Sequence, residues 1–181
     1  FRSKELYKEC TVEFCLDDAK GRNIFTQEVP ITENECKTNL TLDNPHLWNG
    51  LKDPYLYSCS VILKRNGKEI DRRNENIGFR YFHIDPEKGF FLNGKPYYIN
   101  GVNCHEDRAE RVSAYRQGDF EEDLDLIQEM GCTAVRLCHY PQDKHMHNLM
   151  DKRGLIAWVE IPFVNIYVSN PAYRENLIQQ L

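Results

Sequence analysis

The sequence predicts two architectures in succession: an antiparallel β-sandwich over residues 1–84, then parallel strand–helix units over residues 85–181. Two observations carry this reading. Apolar residues of the first half recur at every second position, which is the period of a half-buried strand. In the second half, short apolar runs alternate with stripes spaced three and four residues apart, the pattern of strands followed by amphipathic helices.

The elements follow in order. Val12, Phe14 and Leu16 alternate along one strand, and Tyr55, Tyr57, Cys59, Val61 and Leu63 along another. Asp17 to Asn23 is a turn, and Asn66-Gly67 suits a tight hairpin because both residues accept positive φ. Several short strands without a helical stripe make a sandwich, whose last strand is expected over residues 77–81. Trp48, Tyr55 and Tyr57 belong to its core. Around Asp85-Pro86 the rhythm breaks, and Phe90 to Leu92, Asn93-Gly94 and Pro96 read as a hairpin. Residues 97–102 form the next expected strand. Asp119 is placed as a helix cap with Glu122 three residues on, Phe120, Leu124 and Ile127 as the buried stripe, and Gly131 as the stop. Residues 133–137 are a strand. A second helix turns Met146, Leu149 and Met150 inward and ends at Gly154, while His145 and His147 face solvent. Residues 155–161 are nearly all apolar, as in a strand covered on both faces. Asn170-Pro171 then caps a third helix with Tyr173, Leu177 and Leu181 as its stripe. Such alternation builds a parallel sheet, and three units fall short of the roughly eight that close a TIM barrel. The expectation is a truncated barrel.

Composition narrows the function. The 181 residues are 41% hydrophobic and 28% charged, an ordinary globular balance. A net charge of -5 argues against a general nucleic-acid binder, which needs basic patches to meet phosphates. No apolar run reaches the length of a membrane span. The chain opens on Phe1 with no signal-peptide pattern, so the sequence assigns no compartment between cytoplasm and periplasm. Seven cysteines without a Cys-x-x-Cys pair are expected as thiols, which tilts toward a reducing compartment.

Several motifs are more specific. They are Pro45-His46-Leu47-Trp48, Pro54-Tyr55-Leu56-Tyr57 and Gly78-Phe79-Arg80, then Phe91-Leu92-Asn93-Gly94-Lys95-Pro96 and Gly101-Val102-Asn103-Cys104-His105-Glu106-Asp107. They continue in Ala134 to Pro141 (AVRLCHYP), Asp151 to Leu155 (DKRGL) and Trp158-Val159-Glu160-Ile161-Pro162. In order and spacing this series resembles the junction of the immunoglobulin-like sandwich with the TIM barrel in family 2 glycoside hydrolases, its bacterial β-galactosidase branch in particular. Cys104, where the family usually has arginine, and Leu137-Cys138, in place of a small polar pair, depart from the pattern.

The resemblance implies a site at the C-terminal ends of the barrel strands, where His105, His139 and Glu160 fall. It implies that His105 and His139 bind sugar hydroxyls, that Arg136 orients the nucleophile's carboxylate, and that Glu160 supports the same pocket. Asn103 and Asp107 are further candidates for sugar contact. The implied reaction is retaining hydrolysis of terminal β-galactosides by two carboxylates roughly 5 Å apart. In the family these two glutamates lie on later strands, the first in an Asn-Glu pair. Only the reversed Glu175-Asn176 follows Glu160, so both are expected beyond Leu181 and the fragment is expected to be inactive.

The implied partner is a β-galactoside or related oligosaccharide, with no cofactor, metal, nucleic acid or membrane, and with self-association of the open sheet. Other family 2 activities, β-glucuronidase or β-mannosidase, share the implied fold. A non-catalytic immunoglobulin-like carbohydrate-binding module is the rival of another class. Plainer roles exist for each residue: loop histidines for His105 and His139, and a structural ion pair for Arg136 with Glu160. Cys104-His105 and Cys138-His139 also raise a zinc site, against which stands the opposite facing of adjacent strand residues.

Overall fold

The structure, a computed structural model, describes residues 9–32, 35–163, 165–166 and 168–181. The chain divides into two compact units, Phe1–Trp48 with Tyr55–Arg80 and Asn49–Pro54 with Tyr81–Leu181.

In the first unit the alternating residues become one four-stranded antiparallel sheet. Strands β1 (Cys10–Asp17), β2 (Asn23–Pro30), β3 (Tyr57–Arg65) and β4 (Lys68–Ile77) run in the order β2-β1-β3-β4. The register sets Val12 opposite Leu63, Phe14 opposite Val61 and Leu16 opposite Cys59, so all six share one apolar face. The other face is mixed: Ile62 is buried there opposite Glu13, and Lys64 Nζ donates to Glu13 at 2.7 Å and to Glu28 at 2.9 Å. Asn66 and Gly67 join β3 to β4 with φ of 52° and 73°, as a tight hairpin requires. One of the two outer strands among the described residues, β4, is charged along most of its length, which discourages pairing with another chain.

Trp48 is 1% exposed, with the Arg80 guanidinium 4.8 Å from its ring centre. The strand expected over residues 77–81 is not formed. β4 ends at Ile77, and Phe79 makes only a parallel bridge to Leu47. The cause is Trp48: its N–H takes the Phe79 carbonyl at 2.9 Å, and its side chain lies where a Cβ on Gly78 would approach within 2.9 Å.

The second unit opens with a small antiparallel meander, β5 (Phe82–Asp85), β6 (Gly89–Leu92) and β7 (Lys95–Pro96). A parallel sheet follows in the order β10-β9-β8, from β8 (Gly101–Cys104), β9 (Ala134–Leu137) and β10 (Ile156–Val159). The strand expected from residue 97 starts at Gly101 instead. The Thr133 hydroxyl donates to the Tyr98 carbonyl and accepts from the Asn100 N–H, both at 2.9 Å, which holds that approach out of the ladder.

Helices α1 (Gln117–Glu129) and α2 (Lys144–Arg153) pack on β9 through Leu124, Val135, Leu137, Met146 and Met150, each at most 1% exposed. Asp119 does not cap α1 from outside, as expected, but lies inside its first turn. Its carboxylate accepts from the Arg116 N–H at 2.7 Å and from Arg111 at 2.7 Å. Gly131, at φ 76°, ends the helix: its N–H reaches Gln128 O and that of Cys132 reaches Ile127 O, the two bonds of a Schellman turn. His145 does not simply face solvent. Its Nε2 lies 3.0 Å from Glu121 and helps fasten α2 to α1, as does Arg153 with Asp125 at 2.5 Å.

β10 also departs from expectation, for it is not covered on both faces. It is the outer strand of the sheet among the described residues, with Trp158 64% and Val159 52% exposed. Helix α3 (Pro171–Gln180) starts as expected, the Asn170 side chain accepting from the Tyr173 N–H at 2.8 Å. Its stripe is only partly covered: Tyr173 and Leu177 are half-buried and Leu181 is exposed.

Candidate active site

In a strand, neighbouring side chains point to opposite faces. Val135 and Leu137 go into the helix layer, so Arg136 between them goes to the other side of β9. The parallel register places Asn103 on β8 and Trp158 on β10 level with it. Glu160 lies one residue past β10, and His139 two past β9.

These side chains meet. Arg136 Nε donates to Glu160 Oε1 at 2.6 Å and Nη2 to Oε2 at 3.0 Å, a two-pronged pair. Its Nη1 donates to Asn103 Oδ1 at 3.3 Å. Arginine and carboxylate touch directly, which is the ion pair named above as the plainer role of Arg136. The guanidinium, and His139 after it, hold the Glu160 carboxyl below the usual carboxylate range, against the opposing effect of burial.

His139 Nδ1 lies 3.2 Å from both Arg136 Nη2 and Glu160 Oε2. Arginine only donates, so Nδ1 either accepts from it or carries a proton to the carboxylate. Either arrangement occupies Nδ1 and leaves Nε2 for other partners. The His105 ring stands edge-on to that of His139 with centres 5.2 Å apart.

Two hollows with separate linings lie near these strand ends. Arg136, His139 and Glu160 line one, together with Phe163 and Leu177. Asn103, His105 and Asp107 line the other, beside Tyr115 and Asp123. Asp107 lines the hollow against Leu126 and Ile127 of α1 and does not join the arginine cluster; its backbone carbonyl lies 3.4 Å from the Tyr115 hydroxyl.

Three participants were not singled out from sequence. Gln142, 8% exposed, donates to the Cys104 carbonyl at 2.9 Å and ties the loop after β9 to the end of β8. Trp158 shares the sheet face of Arg136, and Phe163 lines its hollow. The register around Arg136 would have found Trp158; nothing in the sequence marks the other two.

The first two units of the Cys-His motifs also converge in part. Ligand atoms of His105, Cys138 and His139 lie within 4.8 Å of one another, while Cys104 stands outside the group. None of the seven cysteines forms a disulfide. Among the described residues no helix is long and apolar enough to cross a membrane.

Both units of the chain resemble known proteins. Residues 84–179 match the TIM barrel domain of glycosyl hydrolases family 2, and residues 1–80 match a further domain of glycosyl hydrolases family 2. A β-glucuronidase of Bacteroides fragilis is 48% identical over 149 residues, which are 78% of this chain and 21% of that protein. A β-galactosidase large subunit of Lactobacillus acidophilus is 35% identical over 185 residues, covering 93% of this chain and 29% of the relative. Among solved structures, Bacteroides uniformis β-glucuronidase 2, covalently bound to cyclophellitol-6-carboxylate aziridine, superposes with a TM-score of 0.82. It is 30% identical, over 92% of this chain and 21% of its own. The chain thus spans between a fifth and three tenths of these relatives. The match of residues 84–179 to the TIM barrel domain and of residues 1–80 to a further domain of the family makes this chain a member of glycosyl hydrolase family 2.

Proposed function

We propose that this chain supplies part of the sugar pocket of a retaining glycoside hydrolase acting on terminal β-glycosides. One observation carries the reading: Arg136, His139, Glu160 and Asn103 meet at the C-terminal ends of parallel strands, with His105 beside them.

Retaining hydrolysis needs two carboxylates roughly 5 Å apart, one as acid/base and one as nucleophile. Glu160 is a poor acid/base: its carboxyl is held ionised by the guanidinium, whereas a general acid must keep its proton near neutral pH. Its role is to anchor Arg136 and set the orientation of His139. Glu175, the only acidic residue after Glu160, lies on α3. The reacting carboxylates are therefore assigned to later barrel strands of the protein that carries this segment. His105, His139 and Asn103 serve as partners for sugar hydroxyls, and Arg136 Nη1, donating to Asn103 Oδ1 at 3.3 Å, holds that amide in place.

For the sugar we propose a β-glucuronide, supported by the 48% identity to a protein of that name. A β-galactoside is the second reading, supported by the relative from Lactobacillus acidophilus. The test is a pair of kcat/KM measurements, on aryl β-glucuronide and aryl β-galactoside, with a polypeptide holding this segment and the later strands. A higher value on the glucuronide is expected. The reverse order selects the galactoside, and no turnover of any aryl β-glycoside ends the glycosidase reading.

A further inference from the structure

We propose that His105, Cys138 and His139 form a binding site for a thiophilic divalent cation of the zinc class. The Cys138 Sγ and one ring nitrogen of each imidazole lie within 4.8 Å of one another. In a tetrahedral zinc site such atoms stand about 2.0–2.3 Å from the metal, hence roughly 3.5 Å apart. The His105 side chain is exposed and can turn toward the other two.

The alternation of strand side chains does not prevent this grouping. Cys138 and His139 lie past the end of β9, where alternation no longer applies. It does hold for Cys104, inside β8, whose thiol turns to the His105 carbonyl at 3.6 Å and stays outside the group.

A second observation points to a cation. Glu160 Oε2 and Arg136 Nη2 both sit 3.2 Å from His139 Nδ1, so that nitrogen is engaged and Nε2 is the one left for a metal. A carboxylate behind a histidine is the usual way a ligand imidazole is oriented and made more basic. Metal at Nε2 selects the tautomer whose Nδ1–H donates to Glu160. The Cys138 thiol, 1% exposed, has only a long bond of 3.5 Å to the Cys104 carbonyl to give up. On binding, its S–H proton passes to solvent and the thiolate pair bonds the metal. Sulfur and imidazole donors favour zinc or cobalt over magnesium or calcium. The fourth position faces the open mouth and takes water. Under the sugar-pocket reading the metal and the glycoside exclude each other, since both use His105 and His139; metal binding itself does not depend on that reading.

Cobalt(II) is the probe, added to the reduced, full 181-residue chain without sugar. About one equivalent should bind with a near-ultraviolet thiolate-to-cobalt charge-transfer band, bleached by zinc. Cys138→Ser should remove the band. Glu160→Gln should weaken binding about tenfold, as loss of such orienting partners does. A band of unchanged intensity in Cys138→Ser would place the metal on another thiol and overturn the proposal, as would a folded chain that gives no band. Should Cys138→Ser lose its circular dichroism, His105→Asn decides, and unchanged cobalt affinity there also overturns it. Because no glycoside is present, failure here leaves the glycosidase reading to its own assays.

Discussion

Arg136 gives Glu160 two short hydrogen bonds, and the carboxyl titrates below its ordinary 4.5 as a result. A lowered value means the pair is complete above the ordinary carboxylate range and is lost only as pH falls through the lowered value. The carboxyl carbon signal of Glu160, followed by NMR, should therefore move with a midpoint below 4.5. Arg136→Gln should return that midpoint toward 4.5; a midpoint at or above it in the unaltered chain would show that the pair does not form in solution. The neighbouring Cys104 behaves in the opposite sense. Burial first, and nearby negative charge after it, push its thiol up to about 11. At pH 8 it should alkylate with iodoacetamide more slowly than a free thiol, since the thiolate is the reactive form. Rapid labelling of Cys104 in the folded chain would contradict that assignment.

At the level of elements, the positions that hold the site belong to the helix–sheet layer behind it. Leu124 of α1 is fully buried against Val135 and Leu137, the residues that flank Arg136. Leu124→Ala should cost about 2–5 kcal/mol in urea unfolding, the range for emptying a packed leucine site. A loss well under 1 kcal/mol would mean that α1 is not packed on β9. The end of α2 depends on Gly154, at φ 76°, where an added Cβ would lie 2.4 Å from the Gly50 carbonyl. Both the backbone conformation and the close approach oppose a side chain. Gly154→Ala should destabilise by more than about 1 kcal/mol by the same measurement.

For the molecule as a whole, two outcomes follow from what the described residues present. The chain should hydrolyse neither aryl β-glucuronides nor aryl β-galactosides above a blank, because Glu160 is committed to Arg136 and Glu175 is the only acid after it. Turnover by a clean preparation would return the reaction to residues of this segment. The second unit also exposes Phe82, Ile84, Tyr98 and Trp158, each more than 60% accessible, and β10 is the outer strand of its sheet. Apolar surface and an open strand edge promote association. Light scattering should show species larger than a monomer as concentration rises; a strict monomer at high concentration would show those surfaces to be harmless.

The sequence by itself determined the succession of two architectures, because period-two and helical stripes are local patterns that need no knowledge of distant contacts. It also determined the caps at Gly131, Gly154 and Asn170, since those residue types suit the backbone each site requires. Of the candidate site, it placed His105, Arg136, His139 and Glu160 at strand ends through their motifs. Only the tertiary structure decided where the strands begin and stop. Thr133 holds the residues before β8 out of the ladder, and Trp48 takes the carbonyl that would have extended β4. Those partners lie about thirty residues away in sequence, so no local pattern reports them. The same holds for the site: that Arg136 meets Glu160 directly, that Gln142 ties two loops together, and that Cys138 joins the histidines while Cys104 does not. Each depends on parallel register between strands joined by whole helices, and register is fixed by packing across the sheet rather than by neighbours along the chain.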